Sequence, residues 1–166
     1  MNKKSLEPIG QQTMQEHIFR TTTRVLYGDT DAGGVVYNAN YLRYFEIGRT
    51  ELMRAWVCSY RHIESLGLVL PVTECWTRYK APAFYDDMLT IETTVAEVSS
   101  LKCRFNYRIL RAEENVERPK LLVKGYTVHA AVTRDGKLAR LPEEIIEKIA
   151  RLAKEIEKDG PRTNSD

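Results

Sequence analysis

The sequence predicts one α+β domain in which a long helix lies against a curved antiparallel sheet of five strands. Three observations carry this. Residues 40–56 hold apolar side chains at helical spacing, four strand-like runs then follow one another with short breaks, and an amphipathic segment opens after Pro142. Consecutive strands joined by short loops favour antiparallel neighbours and argue against a βαβ repeat.

In chain order, His17 to Tyr27 reads as the first strand. Ile18, Thr22, Arg24 and Leu26 fall on one pleat face, and Phe19, Thr21, Thr23, Val25 and Tyr27 on the other. A glycine-rich bend follows. The spacing then predicts a helix from Asn40 to Trp56, with Tyr41, Phe45, Gly48, Leu52 and Ala55 or Trp56 on its apolar face. Gly48 in mid-helix costs about 0.5–1 kcal/mol relative to alanine, which predicts close approach of this helix to a sheet. A short helical piece near Arg61–Leu66 stops at Gly67. Strands are expected over Val69–Lys80, Met88–Val98, Lys102–Arg111 and Lys120–Thr133, with Asp135-Gly136 as a turn. Pro142 and Glu143-Glu144 suit the start of a last helix carrying Ile145, Ile146, Ile149, Leu152, Ala153 and Ile156. Residues 1–14 and 158–166 are polar and are expected to be flexible segments around a domain spanning 15–157. A five-strand sheet of this kind leaves an open edge, and edge-to-edge pairing of two copies is the simplest cover.

At 166 residues the chain can bury a real core, and 43% hydrophobic with 29% charged residues describes a soluble globular protein. A net charge of +2, with no basic run interleaved with aromatics, argues against nucleic acid. No apolar stretch reaches membrane-span length, and residues 1–16 lack the apolar core of a secretory signal. Cys58, Cys75 and Cys103 form no CxxC pair, and His17, His62 and His129 are scattered, so neither a disulfide framework nor a zinc cluster is expected. The cysteine usage fits a reduced, cytoplasmic location, with no metal or cofactor.

The stretch most concentrated in chemistry is Tyr27-Gly28-Asp29-Thr30-Asp31-Ala32-Gly33-Gly34-Val35-Val36-Tyr37-Asn38-Ala39-Asn40-Tyr41. It sets two carboxylates and a flexible bend directly before a helix start. Free N–H groups and partial positive charge at a helix N-terminus can hold a carbonyl oxygen as it becomes an oxyanion. A nearby carboxylate can attack that carbonyl or activate water. This is equipment for acyl hydrolysis. The plainer reading is that Asp, Thr, Gly and Asn merely turn the chain and cap a helix.

Two motifs tip the balance. Asp29-Thr30-Asp31-Ala32-Gly33-Gly34-Val35-Val36-Tyr37, continuing into Asn40-Tyr41-Leu42, and Pro82-Ala83-Phe84-Tyr85-Asp86-Asp87-Met88-Leu89-Thr90 together resemble the 4-hydroxybenzoyl-CoA thioesterase-like branch of the hotdog-fold superfamily. Within it the chain is similar to the acyl-CoA thioesterases associated with the Tol–Pal cluster, over roughly Arg20 to Pro142. The resemblance implies a hotdog fold, homodimers or homotetramers with active sites between subunits, and hydrolysis of acyl-CoA to acid and CoA without a cofactor. Acyl carrier protein is a second thiol carrier to weigh. Position by position, it places the catalytic carboxylate at Asp31 and the oxyanion donor at the Asn38 backbone N–H. Gly34, Tyr37, Tyr41, Ser99 and Lys102 are the expected substrate contacts. Many of these relatives carry histidine where this chain has Asn38, and only Lys102 is cationic where benzoyl-type members hold CoA phosphates on a basic cluster.

The other candidates read more simply. Asp29 is expected to bond amides of its own turn, Tyr41 to pack in the core, His129 to be buried or interfacial, and Glu51 to be a surface helix acid. Cys75, mid-strand without a histidine partner, reads as a packing residue. Arg134, Lys137 and Arg140 read equally as a phosphate contact or as a solvated loop. The competing functional reading is a hotdog module that binds acyl-CoA or acyl carrier protein without hydrolysing it. A hydratase is a weaker third, for want of its histidine-centred motif.

Overall fold

The computed structural model describes residues 17–154, so the expected flexible segments 1–14 and 158–166 lie outside the described residues. The strands are β1 (Phe19–Arg24), β2 (Leu68–Val69), β3 (Val72–Tyr79), β4 (Met88–Val98), β5 (Lys102–Arg111), β6 (Lys120–Ala130) and β7 (Val132–Thr133). The helices are α1 (Asn40–Trp56), α2 (Tyr60–Ser65) and α3 (Glu143–Lys154). Five strands form one antiparallel sheet in the order β1-β4-β5-β6-β3, and β2 with β7 form a small second pair.

The sheet's inner face presents Leu89, Ile91 and Val95 of β4 and Phe105, Tyr107 and Ile109 of β5, all buried. Against them α1 lays Tyr41, Tyr44, Phe45, Gly48, Leu52 and Met53. Phe45 stacks on Tyr107 with ring centroids 4.3 Å apart and planes 8° from parallel. Gly48 behaves as its helical cost predicts. A Cβ there would lie 2.3 Å from Thr93 Oγ1 and 2.8 Å from an Ile91 methyl, so glycine lets the helix axis drop onto β4. α3 buries Ile145, Ile149 and Leu152 and packs along β4.

The predicted α1, β4 and β5 match the observed bounds, and the differences elsewhere have local causes. Ala55 and Trp56 are exposed, whereas Tyr44 and Met53 complete the buried stripe. The first strand is shorter than His17–Tyr27. Its ladder ends at Arg24 opposite Met88, and Tyr27–Asp29 turns as a single 3₁₀ unit. The run Val69–Lys80 is broken at Pro71, which has no N–H to donate. The run Lys120–Thr133 is broken at Ala131, whose N–H turns to the Leu101 carbonyl at 2.8 Å, and the remainder joins β2 as β7.

Candidate active site

The glycine-rich stretch folds as a tight hairpin between β1 and α1. Asp31 N–H donates to the Val35 carbonyl at 2.9 Å, Gly34 N–H returns to the Asp31 carbonyl at 2.9 Å, and Thr30 bridges to Val36. Gly34 sits at φ +77°, the left-handed region that glycine enters without a Cβ penalty. The second arm then pairs outward, with Val36 N–H on the Ala83 carbonyl at 2.9 Å and a bridge from Val35 to Phe84. The two motifs singled out in the sequence are therefore adjoining strands of one structure.

The two carboxylates of the hairpin have opposite surroundings. Asp29 is 4% exposed. Its Oδ2 accepts from the Leu26 N–H at 2.9 Å and the Tyr44 hydroxyl at 3.0 Å, and its Oδ1 from Arg43 at 3.0 Å. Its carbonyl accepts from the Asn40 side chain and the Tyr37 N–H. Asp29 thus ties β1, the hairpin and α1 together, a wider reach than the turn role expected of it. Burial, followed by this bond to Asp29, pushes the Tyr44 hydroxyl pKa up. Asp31 is exposed, and its only side-chain bond among the described residues is from Gly33 N–H to Oδ1 at 2.8 Å. That bond fixes the carboxylate's direction and leaves Oδ2 open.

Asn38 precedes the helix. Ala39, the N-cap residue of α1, offers no side-chain cap, and no acidic side chain sits in the first turn. Among the described residues the Asn38 N–H meets no acceptor, whereas its carbonyl accepts from the Tyr79 hydroxyl at 2.9 Å. Beside it opens a cleft of about 310 Å³ lined by Val35, Asn38, Tyr41, Tyr79, Lys80 and Pro82, among others. Tyr41 is 3% exposed, as its core role predicts, and its hydroxyl accepts from Ala83 N–H at 3.2 Å. Burial is the main cause of its raised pKa. Tyr37 is half exposed on the hairpin arm and outside that lining.

Ser99 and Lys102 lie elsewhere. They border a second cavity, of about 210 Å³, with Glu74, Glu97 and Arg104, at the far end of β4. That end is about 33 Å along the strand from the hairpin. Ser99 Oγ closes its own turn by accepting from the Leu101 and Lys102 N–H groups. Within one chain Asn38 and Tyr41 line one cleft with Val35 of the hairpin, Asp31 and Gly34 sit at the turn of that hairpin, and Ser99 and Lys102 lie apart.

Sequence reasoning missed Tyr79 and Lys80, which come to Asn38 from 41 and 42 positions away. Their only local signal was position, at the end of a strand-like run just before the Pro82 motif. His129 is buried as expected, between Thr127 Oγ1 at 2.8 Å and the Leu70 carbonyl at 2.9 Å, and burial lowers its pKa to about 4. Cys75 is exposed on β3, which corrects its reading as a packed residue. Among the described residues no group of three or more His, Cys, Asp or Glu side chains could hold a metal ion.

Comparison with known proteins fits this arrangement. The profile of the thioesterase-like superfamily matches residues 25–149. The chain is 35% identical over 135 residues to the acyl-CoA thioesterase YbgC of Haemophilus influenzae, covering 80% of this chain and 94% of that protein. It is 38% identical over 103 residues to the acyl-CoA thioester hydrolase YbgC of Escherichia coli, covering 62% and 77%. The crystal structure of a 1,4-dihydroxy-2-naphthoyl-CoA thioesterase from Synechocystis superposes with a TM-score of 0.72 at 27% identity, covering 81% of this chain and 97% of that one. With a profile spanning most of its length and a hotdog architecture in common, this chain belongs to the thioesterase-like superfamily.

Proposed function

We propose that this chain hydrolyses acyl-CoA thioesters, with Asp31 as the catalytic carboxylate and the Asn38 N–H as the oxyanion donor. The observation that carries the reading is the presence of two groups with open bonding capacity seven residues apart, on the hairpin and at the helix entrance that follows it. One is a carboxylate with an open oxygen, and the other is an uncapped amide at a cleft. A thioester carbonyl oxygen directed at the Asn38 N–H gains negative charge as the carbon becomes tetrahedral, and the helix terminus stabilises it. Asp31 Oδ2 either bonds to that carbon, expelling CoA thiolate and leaving an anhydride that water cleaves, or takes a proton from the attacking water. Label in Asp31 after one turnover in ¹⁸O water would establish the anhydride route, because only water attack on the Asp31 carbonyl of the anhydride puts it there. Tyr41 and Gly34 shape the cleft, and Tyr37 stands at its approach.

The branch assignment we favour is the Tol–Pal-associated one, supported by the two motifs and by the similarity to the YbgC proteins. Acyl carrier protein is the alternative thiol carrier, and the cytoplasm the expected location. No described helix is long and apolar enough to cross a membrane.

The separated Ser99 and Lys102 support a two-subunit site. β3 is a bare sheet edge with Trp76 and Tyr79 exposed. Its Tyr79 end adjoins the Asn38 cleft, and its Glu74 end adjoins the Ser99–Lys102 cavity. Two copies paired antiparallel along β3 would set the cavity of one beside the cleft of the other, so that Lys102 reaches the CoA phosphates from across the interface. A monomer by sedimentation velocity at assay concentration would sink this shared site.

The deciding experiment is thiol release from benzoyl-, short- and long-chain acyl-CoAs and acyl carrier protein, with wild type and Asp31→Asn in parallel. Turnover that collapses in the variant supports the reading and names the acyl class. Acyl-CoA binding without thiol release would make the chain a binding module instead.

A further inference from the structure

A second cleft, of about 410 Å³, opens on the same helix farther along. Glu46, Arg49 and Thr50 of α1 line it with Tyr60 and Glu64 of α2 and Leu70 of the loop before β3. Arg49 lies eleven residues beyond Asn38, about 16 Å along the helix axis.

Two features of this cleft are costly for a fold that uses it only as structure. Arg49 is half-buried, yet it forms no ion pair with any described carboxylate. Glu46 and Glu64 are close enough to line the same cleft, but both stand exposed at its rim. The Arg49 guanidinium instead lies against the Tyr60 and Tyr107 hydroxyls, and its charge is also felt at Cys103 and His129. The Tyr60 hydroxyl is fully buried with Arg49 beside it, and its proton meets no acceptor among the described residues. A buried hydroxyl left unpaired costs about 1–3 kcal/mol, and native structures hold few such groups. The neighbouring polar atoms are satisfied without it. Tyr107, Thr127, His129 and the Leu70 carbonyl form a closed chain of bonds at 2.7, 2.8 and 2.9 Å.

We propose that the Arg49–Tyr60 cleft is a second binding site, for a carboxylate. A guanidinium and a phenolic O–H are both donors, and a carboxylate is the small group that accepts from both at once. Two sources supply one: a free carboxylic acid, or the distal carboxylate of an acyl chain long enough to reach from a thioester held at Asn38. Only the second source rests on the hydrolase reading.

Two measurements on the full chain separate the sources. Octanoate is titrated calorimetrically, and thiol release from dodecanedioyl-CoA is compared with dodecanoyl-CoA, for wild type, Tyr60→Phe and Arg49→Met. If the carboxylate is free acid, octanoate binds wild type and Tyr60→Phe weakens it about tenfold. If it is an acyl terminus, wild type favours dodecanedioyl-CoA in kcat/KM by about tenfold and Tyr60→Phe removes the preference while keeping dodecanoyl-CoA turnover. Thermal stability guards against a structural explanation. Deleting an unpaired hydroxyl should leave the Tm of Tyr60→Phe equal or higher, so the variant remains informative even if Arg49→Met fails to fold. The proposal is overturned if wild type neither binds octanoate nor prefers the dicarboxylic substrate, or if Tyr60→Phe leaves those responses intact, whatever its Tm. Octanoate binding by a chain that releases no thiol would defeat the hydrolase reading and leave this site standing.

Discussion

Asp29 and Asp31 are two residues apart on one hairpin, yet the fold treats them in opposite ways. Asp29 is buried and spends both oxygens on Leu26, Arg43 and Tyr44. Asp31 is exposed and held by a single amide from Gly33. A buried carboxylate with both oxygens bonded is closed to a reacting group, whereas an exposed one anchored through a single oxygen is oriented and still reactive. The first holds the hairpin against α1, and the second is presented by it. The same contrast recurs between the approach to α1 and its middle, where the Asn38 amide meets no acceptor among the described residues and the Gly48 position is packed to contact.

The largest test of this contrast is Asp31→Asn. It should lower kcat at least about a hundredfold, the scale of a lost catalytic carboxylate, with Tm nearly unchanged. Asp29→Ala should do the reverse. It should cost about 3–5 kcal/mol of stability by leaving Tyr44 and the Leu26 amide without a buried acceptor, read as a Tm drop of roughly 10 °C, while protein that remains folded keeps measurable turnover. If Asp29→Ala left Tm untouched, the division of roles would be wrong.

Acid titration reads a third buried polar group, His129. His129 is buried neutral with a folded pKa of about 4, below its ordinary 6.5. The unfolded chain therefore binds the extra proton first, and stability falls as pH drops from about 6.5 to about 4, by up to about 3 kcal/mol. Denaturant unfolding of wild type and His129→Gln across that window should show the slope only in wild type. The smallest effect is expected from Tyr79→Phe. Losing the bond to the Asn38 carbonyl should cost about 1 kcal/mol and lower kcat severalfold as the helix entrance loosens, with little change in KM.

The bounds of α1, β4 and β5 were legible because each runs uninterrupted between strong punctuation: Asn40 after the glycine bend, Asp86-Asp87, and Ser99-Ser100. Where one interaction decides a boundary, periodicity is silent. Pro71 cuts a strand that reads as continuous, and the Ala131 amide leaves the ladder for Leu101. Part of the site was legible for the same reason. Gly34, Asn38 and the two aspartates lie within ten residues, so a local motif contains them. Tyr79, Lys80 and the Arg49–Tyr60 pair are brought in by packing between distant elements, and no local spacing encodes that. Nor could the sequence show that Ser99 and Lys102 stand a strand's length from Asp31.

The seat of Gly48 has a consequence for synthesis. The helix that follows the proposed oxyanion donor gives up propensity at its centre and is held instead by Thr93 and Ile91, residues made long after it. Short isolated helices are marginal in water, and this one carries a glycine as well. A nascent chain that has exposed residues 40–56 but not yet β4 has the right residues in the wrong state. The proposed oxyanion site therefore forms only once the sheet is in place, and a truncated translation product ending before β4 should be chemically inert.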